Sequence, residues 1–277
     1  MEMRNHLLTV ILLIVALTLI SPPALSQSGS QFDPGDFSGV WMRTGGNRSI
    51  NEEVPDLTAR GTAMLEERIP ARGRDLGEPL NGEHYSRVRA VVPVFSNDPM
   101  MDCNPQGFPR LLLDPEPVEF IHTGEERLLQ FFQWERQIRE IWTDGRALPS
   151  GESLFNMGPA WYGYSVGEWE GDTLVVNTVG FDERAWVDMF GLPYTFGARI
   201  EERYTRVDAD TIELEMTLYD PEIYAEPWVS DTKVFTRQPR EDLEYFGWYG
   251  FSGGILEGIC APIDEVEEFN SRIRDPA

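Results

Sequence analysis

The sequence predicts an all-β protein: an antiparallel meander closed into a barrel, preceded by a mixed segment of loops and a short helix. Two observations predict it. From Val118 onward, runs rich in β-branched and aromatic residues recur, and each pair of runs is separated by a short acidic turn. A meander of that length must also curl or close, because closure removes edges that would pair with other chains.

The chain begins with Arg4, an apolar run over residues 7–20 and the small-x-small site Ala24-Leu25-Ser26 before Gln27. This reads as an export signal over residues 1–26. A spanning helix needs about 20 apolar residues, and Pro22 and Pro23 break this run early. The mature chain is therefore expected in the periplasm or secreted, with no stable membrane insertion. No Ser/Gly-rich linker follows residue 35, so residues 27–110 are expected to pack on a barrel body at 111–277 as one domain. The net charge is −24. A field that negative repels nucleic acid and anionic lipid heads. Cys103 and Cys260 are the two cysteines of the chain. In an exported protein an even count points to one disulfide, with two free buried thiols as the alternative.

The elements follow in order. Asp36-Phe37-Ser38-Gly39-Val40-Trp41 opens the mature domain. Thr58 caps a short helix running to Ile69, weakened by Gly61 and ended by Pro70. A strand is expected at 87–95. Cys103-Asn104-Pro105-Gln106-Gly107-Phe108-Pro109-Arg110 is too rich in Pro and Gly for a regular element. Strands are then expected at 118–122 and 127–132, and at 137–143 before the turn Asp144-Gly145. The central hairpin joins 162–169 to 173–179 through Glu170-Gly171-Asp172, where Gly accepts positive φ and Asp bonds its own backbone. Residues 199–207 pair with 211–219 across Asp208-Ala209-Asp210. Strands at 232–237 and 245–251 complete the series, and 264–273 reads as a short surface helix.

Gly39-Val40-Trp41 near the first strand resembles the G-x-W signature of lipocalins. That resemblance implies a lipocalin-like barrel with Trp41 plugging one end against a late-strand arginine, here Arg237. A broader resemblance rests on Cys103 to Arg110, on Ile141-Trp142-Thr143-Asp144-Gly145-Arg146, on Ser165-Val166-Gly167-Glu168-Trp169-Glu170-Gly171-Asp172-Thr173-Leu174-Val175-Val176, and on Glu202-Arg203-Tyr204. Together they resemble a widespread family of exported bacterial proteins of unknown function. Members usually carry histidine just before the serine of the hairpin and after the Gly-x-Pro that follows. Tyr164 and Tyr194 stand at those places here, so acid–base chemistry by those histidines would be lost or passed to a phenol.

Gly163-Tyr164-Ser165-Val166-Gly167 matches the nucleophile-elbow pattern, yet a strand and not a helix follows it, and no histidine comes after Ser165. Glycines that relieve crowding in a curved strand explain it better. The mature chain has two histidines, His84 and His122, so a three-histidine metal site is excluded, and no metal or cofactor is expected. Arg146, after a turn, has the planar fork that suits two-point recognition of a carboxylate or carbonyl. Tyr162 and Tyr164 lie two apart and so share a sheet face. With Trp161 and Trp186 they form an aromatic cluster near Asp188 and Tyr194, which is either ordinary barrel core or the wall of a ligand cavity.

Two functions follow. The first is an exported barrel binding a small apolar molecule through Arg146, Trp161, Tyr162 and Trp186. The alternative is an acid–base enzyme on a similar substrate, an isomerase, hydratase/lyase or hydrolase using Asp188, Tyr164, Tyr194 and His122. That reading requires several of these groups, with Arg146, to converge in one pocket within about 3–6 Å of a shared substrate atom or of each other.

Overall fold

The computed structural model describes residues 32–70, 96–124, 126–238, 260, 261, 268 and 272. The expected export signal, the strands expected at 87–95 and 245–251, His84 and most of the helix expected at 264–273 fall outside these residues. Ten strands are described: β1 Gly39–Gly45, β2 Pro117–His122, β3 Arg127–Phe132, β4 Ile138–Trp142, β5 Tyr164–Glu170, β6 Thr173–Val179, β7 Arg199–Arg206, β8 Thr211–Tyr219, β9 Trp228–Val229 and β10 Lys233–Arg237. Three short helices accompany them: α1 Ala59–Glu66, α2 Arg110–Leu113 and α3 Gly151–Met157. Among the described residues no helix is long and apolar enough to cross a membrane.

The strands close into a mixed nine-stranded barrel. β8 divides its two ends: Thr211–Leu214 pairs with β10, while Thr217 and Leu218 pair with β9. β10 in turn pairs with β1, which completes the ring. The expected hairpins are present, with β2 on β3, β5 on β6 and β7 on β8.

The expectation of antiparallel pairing throughout is corrected at one place. Directions must alternate around an antiparallel ring, and an odd ring cannot close that way. One neighbouring pair has to be parallel, and it is β4 with β5. Parallel neighbours need a crossover of a dozen or more residues instead of a tight turn. Asp144-Gly145 therefore does not make a hairpin; it leads into the crossover that carries α3.

Period-two alternation builds the wall. Along β7, half-buried residues alternate with the buried Ile200, Glu202, Tyr204 and Arg206. The same pattern on β3 and β8 fills the interior with Leu128, Phe132, Ile212, Leu214 and Met216. Phe37, Phe120 and Tyr204 pack together with ring centroids 6.0–6.3 Å apart. Trp41 is fully buried and donates from Nε1 to Phe37 O at 2.8 Å. The guanidinium groups of Arg237 and Arg206 lie 5.3 and 5.6 Å from its ring centre. Thr58 caps α1 by accepting from Gly61 N. The Cys103–Cys260 disulfide is formed, with Cα atoms 5.6 Å apart.

Candidate functional site

The parallel seam is short. Only Ile141 with Ser165 and Trp142 with Val166 are paired between β4 and β5. β4 starts three residues before that contact and β5 only one, and residues of both strands and of the crossover line one pocket beside it. The result is a groove of about 420 Å³. Its floor comes from the outward residues Ile138, Glu140 and Trp142 of β4 and from Tyr164 and Val166 of β5. Pro149, Met157, Ala160 and Trp161 of the crossover form the opposite wall.

Inside the barrel, the same seam is stitched by one buried side chain. Arg139 points inward from β4 and is almost fully buried. It donates to Ser165 Oγ on β5 at 3.0 Å, Thr178 Oγ1 on β6 at 2.7 Å and Gln130 Oε1 on β3 at 3.0 Å. It also donates to both carboxylate oxygens of Glu202 on β7, at 3.0 and 2.5 Å. Tyr204 OH donates to Glu202 at 2.5 Å and accepts from Gln130 Nε2 at 2.9 Å. Burial alone would lower the pKa of Arg139; the adjoining Glu202 carboxylate outweighs it and holds the guanidinium above its ordinary value. Ser165, the serine of the elbow-like pattern, is thus a buried partner of Arg139 and Thr178.

The predicted site residues separate into two groups. Arg146, Trp161, Tyr162 and Tyr164 all line the groove. Tyr162 and Tyr164 do not share a strand face, however, because β5 begins only at Tyr164 and Gly163 between them takes φ +62°. A Cβ at Gly163 would lie 2.7 Å from Val179 O, so the chain bends there on a residue without one. The Tyr164 phenol donates to the carbonyls of Met157 and Gly158 at 3.1 and 3.2 Å and holds the end of α3. Arg146 is clamped by two-point bonding to Asp144 at 2.7–3.1 Å and lies 3.6 Å from the Trp142 ring centre.

The second group lies off the groove. Asp188 is fully buried in the loop between β6 and β7 and accepts from Ser49 Oγ and from Phe190 N at 2.9 Å. Trp186 sits between the guanidinium groups of Arg68 and Arg110, 5.6 and 5.8 Å from its ring centre. Tyr194 is fully buried, 5.0 Å from Phe181 centre to centre, and its hydroxyl has no partner among the described residues. Desolvation pushes its pKa up, so it stays protonated. His122 ends β2, and its partly buried Nε2 accepts from Phe37 N at 3.2 Å.

Sequence reasoning missed Ile138, Trp142, Met157, Val166 and Glu135. The first four flank a seam whose parallel direction depends on the ring count, which no local pattern carries. Glu135 sits in a 3-10 turn, Trp134–Arg136, in which both Glu135 and Arg136 take left-handed φ, at 49° and 54°. Its carboxylate lies within 4.8 Å of both disulfide sulfurs. Those sulfurs are bonded to each other, so this trio offers no thiolate to a metal. Burial raises the Glu135 pKa, and burial together with the nearby Glu135 pushes up that of Tyr162. No protein-family model, curated protein or solved structure matches the chain significantly.

Proposed function

We propose that this is an exported, lipocalin-like β-barrel protein that binds a small, flat, largely apolar molecule in the groove outside the β4–β5 seam. The groove itself carries the reading. Its volume of about 420 Å³ falls in the range of about 300–1,000 Å³ usual for small-molecule sites. Its walls are aromatic and apolar, with few polar groups to orient a ligand. The barrel interior is less suited, because among the described residues its inward side chains pack against one another or bond within the Arg139–Glu202 network. The Cys103–Cys260 bond supports an oxidising compartment, and the contact of Trp41 with Arg237 supports the lipocalin-like reading. Acid–base catalysis is supported less, since Asp188, Tyr194 and His122 do not line the groove that holds Tyr164.

Titration with the neutral fluorescent probe N-phenyl-1-naphthylamine tests this. Saturable enhancement is expected, weakened at least about tenfold by Val166→Glu, which puts a charge on the groove floor, with the melting curve preserved. Absence of saturable binding, or an unaffected Val166→Glu variant, would overturn the proposal.

A further inference from the structure

Resting on that reading, we propose that the groove's ligand is a neutral flat ring with an N–H donor and a carbonyl acceptor side by side, as in a bicyclic lactam, and that this pair bonds to the main chain of Ile138. The register of β4 supplies the partner groups. Phe132 N donates to Gln137 O and Thr143 N to Glu126 O, both at 2.8 Å. Successive residues of a strand turn their main-chain groups to opposite edges. Gln137, Arg139, Ile141 and Thr143 therefore face β3, while Ile138, Glu140 and Trp142 face the β5 side. On that side the pairing begins only at Ile141 and Trp142. No strand lies against Ile138 there, and among the described residues neither its N–H nor its C=O has a hydrogen-bond partner.

This stretch of edge is open to a ligand, since Ile138 lines the groove and is 53% exposed. An unpaired strand edge is a template for whatever offers matching groups. In an antiparallel ladder, a residue placed opposite exchanges two N–H···O bonds with its partner. A lactam ring imitates that residue, because its N–H and C=O lie in one plane on the same side. An open-chain amide in its trans form points them opposite ways. A carboxylate only accepts and an ammonium only donates, so each leaves one group unmet.

The surroundings suit the same class. Trp142, Met157 and Trp161 offer apolar surface to the rest of the ring. The charged side chains that line the groove are paired already: Glu140 with Arg127, Arg146 with Asp144 and the inward Arg139 with Glu202. The hydrogen-bonding groups left at this edge are neutral, and so is the ligand they match.

The test is competition of naphthalene, 2-quinolinone and N-methyl-2-quinolinone against the fluorescent probe, on the full mature protein, on Ile138→Pro and on Ile138→Val. Proline deletes the N–H at the first position of β4, where the ladder to β3 does not use it. Gln137 before it already has the extended backbone that a following proline requires, with φ −69° and ψ 145°. The wild type should bind 2-quinolinone at least about tenfold more tightly than naphthalene or the N-methyl lactam. That preference should persist in Ile138→Val and fall at least about threefold in Ile138→Pro. The N-methyl lactam, which has lost its donor, decides the point in the wild type even if the proline variant does not fold. Equal affinities for the three in the wild type, or a preference in folded Ile138→Pro as large as in the wild type, would overturn the lactam inference alone. Failure of all three to compete would overturn the groove reading and this inference with it.

Discussion

Arg139 shows what one residue does for the barrel. Its guanidinium replaces, from inside, the main-chain bonds that a two-residue parallel seam cannot make. Truncating one partner of a buried ion pair strands the other, so Arg139→Met should cost about 3–5 kcal/mol in denaturant unfolding. The double variant Arg139→Met/Glu202→Leu should recover most of that loss, because Gln130 with Tyr204 and Ser165 with Thr178 still bond to each other. Tyr162 has the opposite sign. Removing a buried hydroxyl that has no protein partner is neutral or favourable, so Tyr162→Phe without ligand should melt no lower than the wild type. His122 accepts a backbone hydrogen bond at Nε2, which requires neutral imidazole there. Burial lowers its pKa from the ordinary 6.5, against the pull of Asp36 and Asp33. The unfolded chain then takes up this proton more readily than the folded one. Its contribution is complete above 6.5 and is lost as pH falls toward the lowered folded value. Melting temperatures measured from pH 7.5 down to 5 should fall less in His122→Gln than in the wild type.

At the scale of elements, most strands were legible because their signals are local. The runs at 118–122, 173–179 and 211–219 combine β-branched residues with acidic turns and fold as read, with period-two burial along the first and third. The loop between β6 and β7 was not legible as core. Its Trp186, Asp188 and Tyr194 look like a site in the sequence, yet they pack against Arg68 and Ser49, which come from distant parts of the chain, and against Phe181 of the same loop. By propensity Gly61 is a weakness in α1, since glycine in a helix interior costs about 1 kcal/mol relative to alanine. Its tertiary setting reverses this: a Cβ there would lie 2.5 Å from Ile223 O. Gly61→Ala should therefore lower the denaturation midpoint, while Thr58→Ala should cost about 1 kcal/mol through the lost cap.

Across the whole molecule, ring parity links fold to site. Nine strands force one parallel pair, the parallel pair forces a crossover, and the crossover makes the outer wall of the groove. Closure could be argued from the sequence, but strand number could not be, because β9 and β10 divide one edge of β8 between them. The parallel seam and everything it positions were hidden for that reason. The disulfide acts at the same scale, joining residues 157 apart in the chain. The chain-entropy model makes such a link worth roughly 4–5 kcal/mol, so a Cys103→Ala/Cys260→Ala variant should unfold at markedly lower denaturant. The most direct test of the groove is amide NMR during titration with N-phenyl-1-naphthylamine. Shift changes should concentrate on residues 138–142 and 160–166. Changes centred instead on the inward positions Ile200, Tyr204 and Leu214, or spread evenly over the chain, would contradict a ligand site at the seam.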